Sequence, residues 1–185
     1  MGFEAATAAL APALAAELLG GVDSRLAHSL AVGRRAEQLT ADWPAAHRHV
    51  IAAAAYLHDI GYSPQCVDTT WHPLDGARWL ARHGWAPAIC RLVLWHTAAW
   101  HEGRLRGLYA AAADEFGPPT LTDPAAAALT AADLTTGPAG EPLSVDDRIA
   151  DIRRRYPAGS LVICALDLAE ADMRNLVNQA SRSSA

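Results

Sequence analysis

The stretch "AAAYLHDIGYSP", residues 53–64, places a histidine and an aspartate side by side at the end of an apolar helical run. The residues leading into it, "VIAAAAYL" (50–57), are apolar on every face, the pattern of a helix buried all round. Burying a carboxylate beside an imidazole costs several kcal/mol unless a partner is present. His58 and Asp59 are therefore either solvated at a helix end or engaged in holding something.

The rest of the chain narrows the choice. Its 185 residues suffice for one sizeable core and are short for two. Strand signals are nearly absent and helical periodicity recurs throughout. Residues 3–19 carry Phe3, Leu10, Leu14 and Leu18 on one stripe. Asp23 or Ser24 caps a second helix running to about Thr40. Pro44 opens a third that ends at Gly61, and Pro73 lies just inside a fourth that stops at Gly84. Pro87 opens a fifth, with Ile89, Leu92, Val93 and His96 on one face. Residues 104–116 read as a sixth. Asp123 caps a seventh through "TDPAAAALTAADLTTGP", Ser144 caps an eighth through "LSVDDRIADIRRRY", and residues 160–178 form a last one. The expected architecture is all-α. An N-terminal helix (1–20) precedes a helical core (21–140), followed by a C-terminal helical pair (141–180) and a frayed tail (181–185).

Composition excludes several function classes. No apolar run reaches the roughly 18 residues a bilayer span requires, and "FEAATAALAPALAAELLG" lacks the basic leader of a signal peptide, so a cytoplasmic location is expected and no membrane partner. Net charge is −5, which argues against a nucleic-acid polymer as partner. The three cysteines, Cys66, Cys90 and Cys164, form no CxxC pair and are expected as small buried hydrophobes. Every basic residue is arginine, so an anionic ligand must be met by Arg, His or a metal.

Among the eight histidines, several stand on apolar helical faces. His28 is followed at four residues by Val32. His96 shares a stripe with Ile89, Leu92 and Val93. His72 stands at the start of its helix, before Pro73. Asp133 has Leu129 four residues before it, and no lysine exists to pair with it. Imidazole and carboxylate are the mixed donor set of Zn, Fe, Mn or Ni sites. His28, His58, Asp59, His72, His96 and Asp133, each carried to the buried side of a short helix, share one economical explanation: a metal site within a helical bundle. His47, His49 and His83 read as structural or exposed. Trp71, Trp95 and Trp100 lie near the candidate ligands in sequence and are candidates for shaping a pocket.

The order His … His-Asp … Asp on an all-helical chain resembles the HD superfamily of metal-dependent phosphohydrolases. The likeness spans roughly residues 22–140 and rests on "LAHSLAVGRRA", "AAYLHDIGY", "HPLDGARWL", "LVLWHTAAW" and "LTAADLTTGP". It implies that His28, His58, Asp59 and Asp133 hold one divalent metal. It further implies that His72 and His96 complete a second site, with the Asp59 carboxylate bridging. A phosphoester or phosphoanhydride of a nucleotide or small phosphorylated metabolite would be cleaved through metal-activated water. Asp59 and Arg25 are the candidate catalytic residues, with Arg25 holding a phosphate oxygen. Arg35, Asp75, His101 and Glu102 are further candidates for substrate contact. The "HDIGYSP" stretch lacks the longer context of the cyclic-dinucleotide phosphodiesterases. It also lacks the acidic residue that some HD nucleotidases carry soon after the pair, a role open here to Asp68, Asp75 or Glu102. The same six ligands would also serve a mixed-valent di-iron oxygenase or an inert metal-binding regulatory module.

Overall fold

The computed structural model describes the backbone of residues 3–22 and 24–183, and the side chains of residues 9–182 apart from Asp23. Among the described residues, ten α-helices follow one another: α1 (Phe3–Leu19), α2 (Arg25–Leu39), α3 (Ala45–Leu57), α4 (His72–Arg82), α5 (Pro87–Trp95), α6 (Trp100–Leu105), α7 (Tyr109–Phe116), α8 (Pro124–Leu134), α9 (Val145–Arg155) and α10 (Leu161–Ser183). No strand occurs among the described residues; one isolated bridge joins Thr136 to Pro142. The fold is all-α.

The alanine-rich α3 is the central post. It is packed by α1, α2, α5 and α8, which explains why its sequence is apolar all round. Every residue from Ile51 to Leu57 is buried. Burial of an Ile or Leu side chain of this kind contributes about 1.5–3 kcal/mol. The alanines admit close neighbours, and Gly33 on α2 lies so near the Tyr56 ring that a side chain at 33 would overlap it. On α1 the buried face is Ala11, Ala15, Leu18 and Leu19, while Leu10 is 60% exposed. The inward stripe is thus turned from the expected one, because small residues let α1 settle on α3. The side chain of Phe3 lies outside the described residues, as does Asp23; Ser24 occupies the N-cap of α2 without a side-chain hydrogen bond.

Several element boundaries differ from expectation. The third helix ends at Leu57, and a short 3₁₀ turn, Ile60–Tyr62, carries the chain through Gly61. Gly61 is not a left-handed stop. Its Cα lies against the His72 carbonyl and the Gly76 amide, where a Cβ has no room. The Asp59 turn can therefore pack onto the first turn of α4. The fifth helix ends at Trp95, because Thr97 and Ala98 take positive φ of 50° and 60°. Residues 100–116 form two helices, broken at Gly107 with φ of 70°. The caps of α8 and α9 are as expected: Asp123 accepts from the Ala125 amide and Ser144 from the Asp147 amide. The last helix runs on through residues 181–183, and 184–185 lie outside the described residues.

The C-terminal pair closes over the bundle. The α10 helix packs along α8 and α6, and α9 contacts both α8 and α10. Arg153 of α9 reaches Asp167 and Glu170 of α10. Trp71, Trp95 and Trp100 are buried in the core beneath α6, α8 and α10 and do not line the histidine pocket. Cys66 and Cys90 are buried, whereas Cys164, on the outer side of α10, is exposed, contrary to expectation. Among the described residues, no helix is long and apolar enough to cross a membrane.

Candidate metal centre

The C-terminal ends of α3, α5 and α8 meet below α2 and α4, and the charged side chains that these ends carry face one another. His58 and Asp59 follow the last turn of α3, His96 follows α5, and Asp133 is in the last turn of α8. His28 comes from the first turn of α2 and His72 begins α4. His28, His58, Asp59, His96 and Asp133 are buried. The imidazoles form a chain, with ring centroids 5.3 Å apart for His28–His58, 5.1 Å for His58–His96 and 5.4 Å for His72–His96.

The hydrogen bonds behind the rings decide which nitrogens face inward. His58 Nδ1 lies 2.8 Å from the Ala55 carbonyl, His96 Nδ1 2.6 Å from that of Val93, and His28 Nδ1 3.0 Å from that of Gly137. A carbonyl accepts only, so each Nδ1 donates, and on the His58 ring, which burial holds neutral, Nε2 presents a lone pair to the interior. There Nε2 of His58 stands 3.7 Å from Asp59 Oδ1 and 4.0 Å from Asp133 Oδ1, and Nε2 of His28 stands 3.0 Å from Asp133 Oδ1. Lone pairs and carboxylate oxygens thus converge with no proton to share between His58 and either aspartate. Spacings of 3–4 Å suit ligands bonded at about 2.0–2.2 Å to one cation. Among the described residues, two sets offer ligand atoms all within 4.8 Å of one another, His28–His58–Asp133 and His58–Asp59–His96. His72 adds Nε2 at 3.4 Å from Asp59 Oδ1.

A family model for the HD domain matches residues 25–152. The chain belongs to the HD-domain family. No curated protein and no solved structure matches it. HD domains are in general metal-dependent hydrolases, and the family implies divalent metal binding. The buried His/Asp set of this HD domain is chemically suited to such a cation. The family match runs on from α2 to Ile152 and so takes in most of α9.

Electrostatics prepares the ligands. Burial pushes the His58 imidazole down to about 4, against the pull of Asp59 and Asp133, and holds His72 well below 6.5. Both rings are therefore neutral, the ligating form, at neutral pH. Burial alone would raise the Asp59 carboxyl, but His58, Arg25 and His72 outweigh it and hold it well below the usual carboxylate range. Asp133 is likewise lowered: burial is overcome by the His28 hydrogen bond and the electrostatic influence of the neighbouring His58, His28 and Arg148.

Arg25 Nη1 donates to Asp59 Oδ2 at 2.9 Å, and its guanidinium lies 4.0 Å over the Tyr62 ring. Tyr62 in turn stacks on His72 at 4.1 Å. Thr97 Oγ1 donates to Asp133 Oδ2 at 2.5 Å. Thr70, Thr97 and Ala98, the non-glycine residues of positive φ among those described, all border this pocket. Such conformations cost about 1–3 kcal/mol each and concentrate where geometry is imposed for function.

The pocket above the cluster has a volume of about 290 Å³ and is bordered by Arg25, Tyr62, Glu102, Arg106, Arg148 and Arg155, among others. Glu102 is thus at the pocket, bonded to Arg106 at 2.7 Å. The other proposed substrate contacts fall elsewhere. Arg35 is on the exposed side of α2 beside Gln38, and Asp75 is buried and accepts from the amide and hydroxyl of Thr69. His101 faces away, bonded to Asp172 of α10 at 2.8 Å, and Asp68 is exposed near Arg78. A larger groove of about 650 Å³ lies at the other ends of α3 and α8, lined by Trp43, Val50, Leu92 and Trp95. Its carboxylate, Asp123, is occupied as the α8 cap. Sequence reasoning missed Thr97, Arg148 and Arg155. The signal available was the α9 pattern, which sets Arg148 and Arg155 seven residues apart on the face that also carries Ile152.

Proposed function

We propose that this HD domain is a phosphohydrolase cleaving a phosphoester or phosphoanhydride of a nucleotide or small phosphorylated metabolite. The observation that carries the reading is charge: four arginines, Arg25, Arg106, Arg148 and Arg155, border the pocket that opens onto the ligand cluster. Guanidinium forks match phosphate oxygens, and this chain has no lysine to share the work. A bound divalent cation would supply a nucleophile at neutral pH by acidifying its water, and would offset charge on the phosphoryl oxygens. His28, His58, Asp59 and Asp133 are the proposed ligands of one ion, and Asp59, His72 and His96 of a second. Asp59 Oδ1 faces both His58 and His72, which supports its role as the shared ligand.

Around that centre the protein's own groups orient and exclude. Arg25 holds Asp59 by one nitrogen while its remaining edge borders the pocket. Thr97 fixes the Asp133 carboxylate through the oxygen not facing His28. Of Asp68, Asp75 and Glu102, Glu102 is the one that borders the pocket, joined there to Arg106. The deciding experiment combines elemental analysis with phosphate release from a panel of phosphomonoesters, nucleotides and cyclic nucleotides. Metal-dependent release, lost in Asp59→Asn, is the expected result. A coupled iron pair with oxygen consumption and no phosphate release would replace this reading with the oxygenase. Bound metal with neither activity would leave a regulatory module.

A further inference from the structure

The wall of the pocket opposite Arg25 is unlike its floor. On α9, Arg148 is 6% exposed, and its Nε and Nη1 are buried without a hydrogen-bond partner. Its guanidinium makes only loose ion pairs, 3.7 Å from Asp133 Oδ1 and 3.7 Å from Asp151 Oδ2. Asp151 is itself claimed at 2.9 Å by both Arg154 and Arg155, so one carboxylate serves three cations. A buried guanidinium nitrogen without a hydrogen bond is costly. Arg148 also borders the pocket, where a ligand oxygen would relieve that cost.

Beyond Arg148 the wall becomes hydrocarbon. Ile152 of α9 and Val162, Ala165, Leu166, Ala169 and Met173 of α10 border the cavity, and none carries an N–H or O–H group in its side chain. The polar groups at the mouth are already joined to one another, Arg106 to Glu102 and to Thr70. Ile152 and the five α10 residues offer no donor or acceptor to a nucleobase, and Arg155 and Tyr156 are the polar side chains beside them. The volume of about 290 Å³ is at the small end of ligand sites, which run from about 300 to 1,000 Å³.

We infer that the substrate is a small phosphomonoester with an apolar body, its phosphate gripped by Arg148 across the cluster from Arg25 and its hydrocarbon laid on α10. This rests on the phosphohydrolase reading and narrows it, setting nucleotides aside. Arg148 supplies the anion contact, and the α10 wall selects the body by excluding water from it.

The test is calorimetric titration of the metal-loaded full chain with inorganic phosphate, AMP and alkylphosphonates from methyl to hexyl. Binding should tighten about fourfold per methylene over the first few carbons, the equivalent of about 0.8 kcal/mol per buried CH₂. AMP should bind no tighter than methylphosphonate. Arg148→Gln should weaken every member about tenfold at unchanged metal content. Arg148→Lys, which keeps the charge without the fork, should fall between and guards against a folding defect. Val162→Asn should flatten the chain-length series. A flat series in the wild type, or AMP outbinding hexylphosphonate, overturns the substrate class. Wild-type affinity in both Arg148 variants overturns the anion contact. Because phosphate and the alkylphosphonates have no ester bond to hydrolyse, a steep series beside an empty phosphate-release screen would remove the hydrolase and keep the subsite. Release from nucleotides beside a flat series would do the reverse.

Discussion

The side chains beneath the pocket come from α2, α4 and the ends of α3, α5 and α8; those that close it come from α9 and α10. The floor consists of imidazoles and carboxylates positioned from behind, His58 by a hydrogen bond to Ala55, Asp133 by one from Thr97 and His72 by stacking on Tyr62. The wall consists of two arginines on one turn-and-turn-about face of α9 and a run of aliphatic side chains on α10. Floor residues cannot be exchanged without leaving a charge or lone pair buried and unmatched. Wall residues can change size and polarity while the cluster stays intact. The division separates the capacity to bind a cation from the choice of what is brought to it.

The largest effect should come from the floor. Asp59→Ala removes the partner of Arg25 and His72 together. It should abolish metal binding and turnover, and leaving a charge without its buried partner should cost about 3–5 kcal/mol of stability. Elemental analysis and thermal melting report both; a variant that keeps metal and activity would dissolve the distinction between floor and wall. Next in size, Thr97→Ala deletes the hydrogen bond to Asp133 and should lower metal affinity about 10–100-fold, measured by competition with a chelator.

Acidity should act on the same layer. His58 titrates at 6.5 in the unfolded chain and at about 4 in the fold, so the unfolded state takes up its proton first as pH falls. Stability of the metal-free protein from this group is thus complete above 6.5 and declines between 6.5 and about 4, which melting curves across that range would show. A flat profile would mean that His58 is not held neutral by burial. The smallest effect belongs to the wall. Ile152→Ala should shift KM by a few-fold with metal content unchanged, and loss of metal in that variant would merge wall and floor.

How far the chain could be read without its fold follows the same line. The six candidate ligands stood out because a His or Asp on an apolar helical face conflicts with the cost of burying it, and that conflict is visible in one dimension. The break at Gly107 and the turn at Thr97 were not visible, because a positive φ at Thr97 is imposed by its packing and no local preference of threonine announces it. Gly61 could be marked as special, but its role differed: it permits a close approach to His72 and does not end a helix. Arg35, Asp75 and His101 show the converse. Each is a plausible phosphate or acid–base residue by type, and each is directed away from the pocket by the orientation of its own helix or by a nearer partner, Thr69 for Asp75 and Asp172 for His101.

What the sequence alone determined is the all-helical class and the presence of buried ligand-type residues, since periodicity and the cost of desolvating charge are properties of short segments. Which ring nitrogen faces inward, which arginine is left with buried nitrogens unpartnered, and which helix lines the far side of the cavity were decided only when α9 and α10 closed over the bundle. Those relations join residues as far apart as His28 and Asp133, and no local pattern encodes the distance between them.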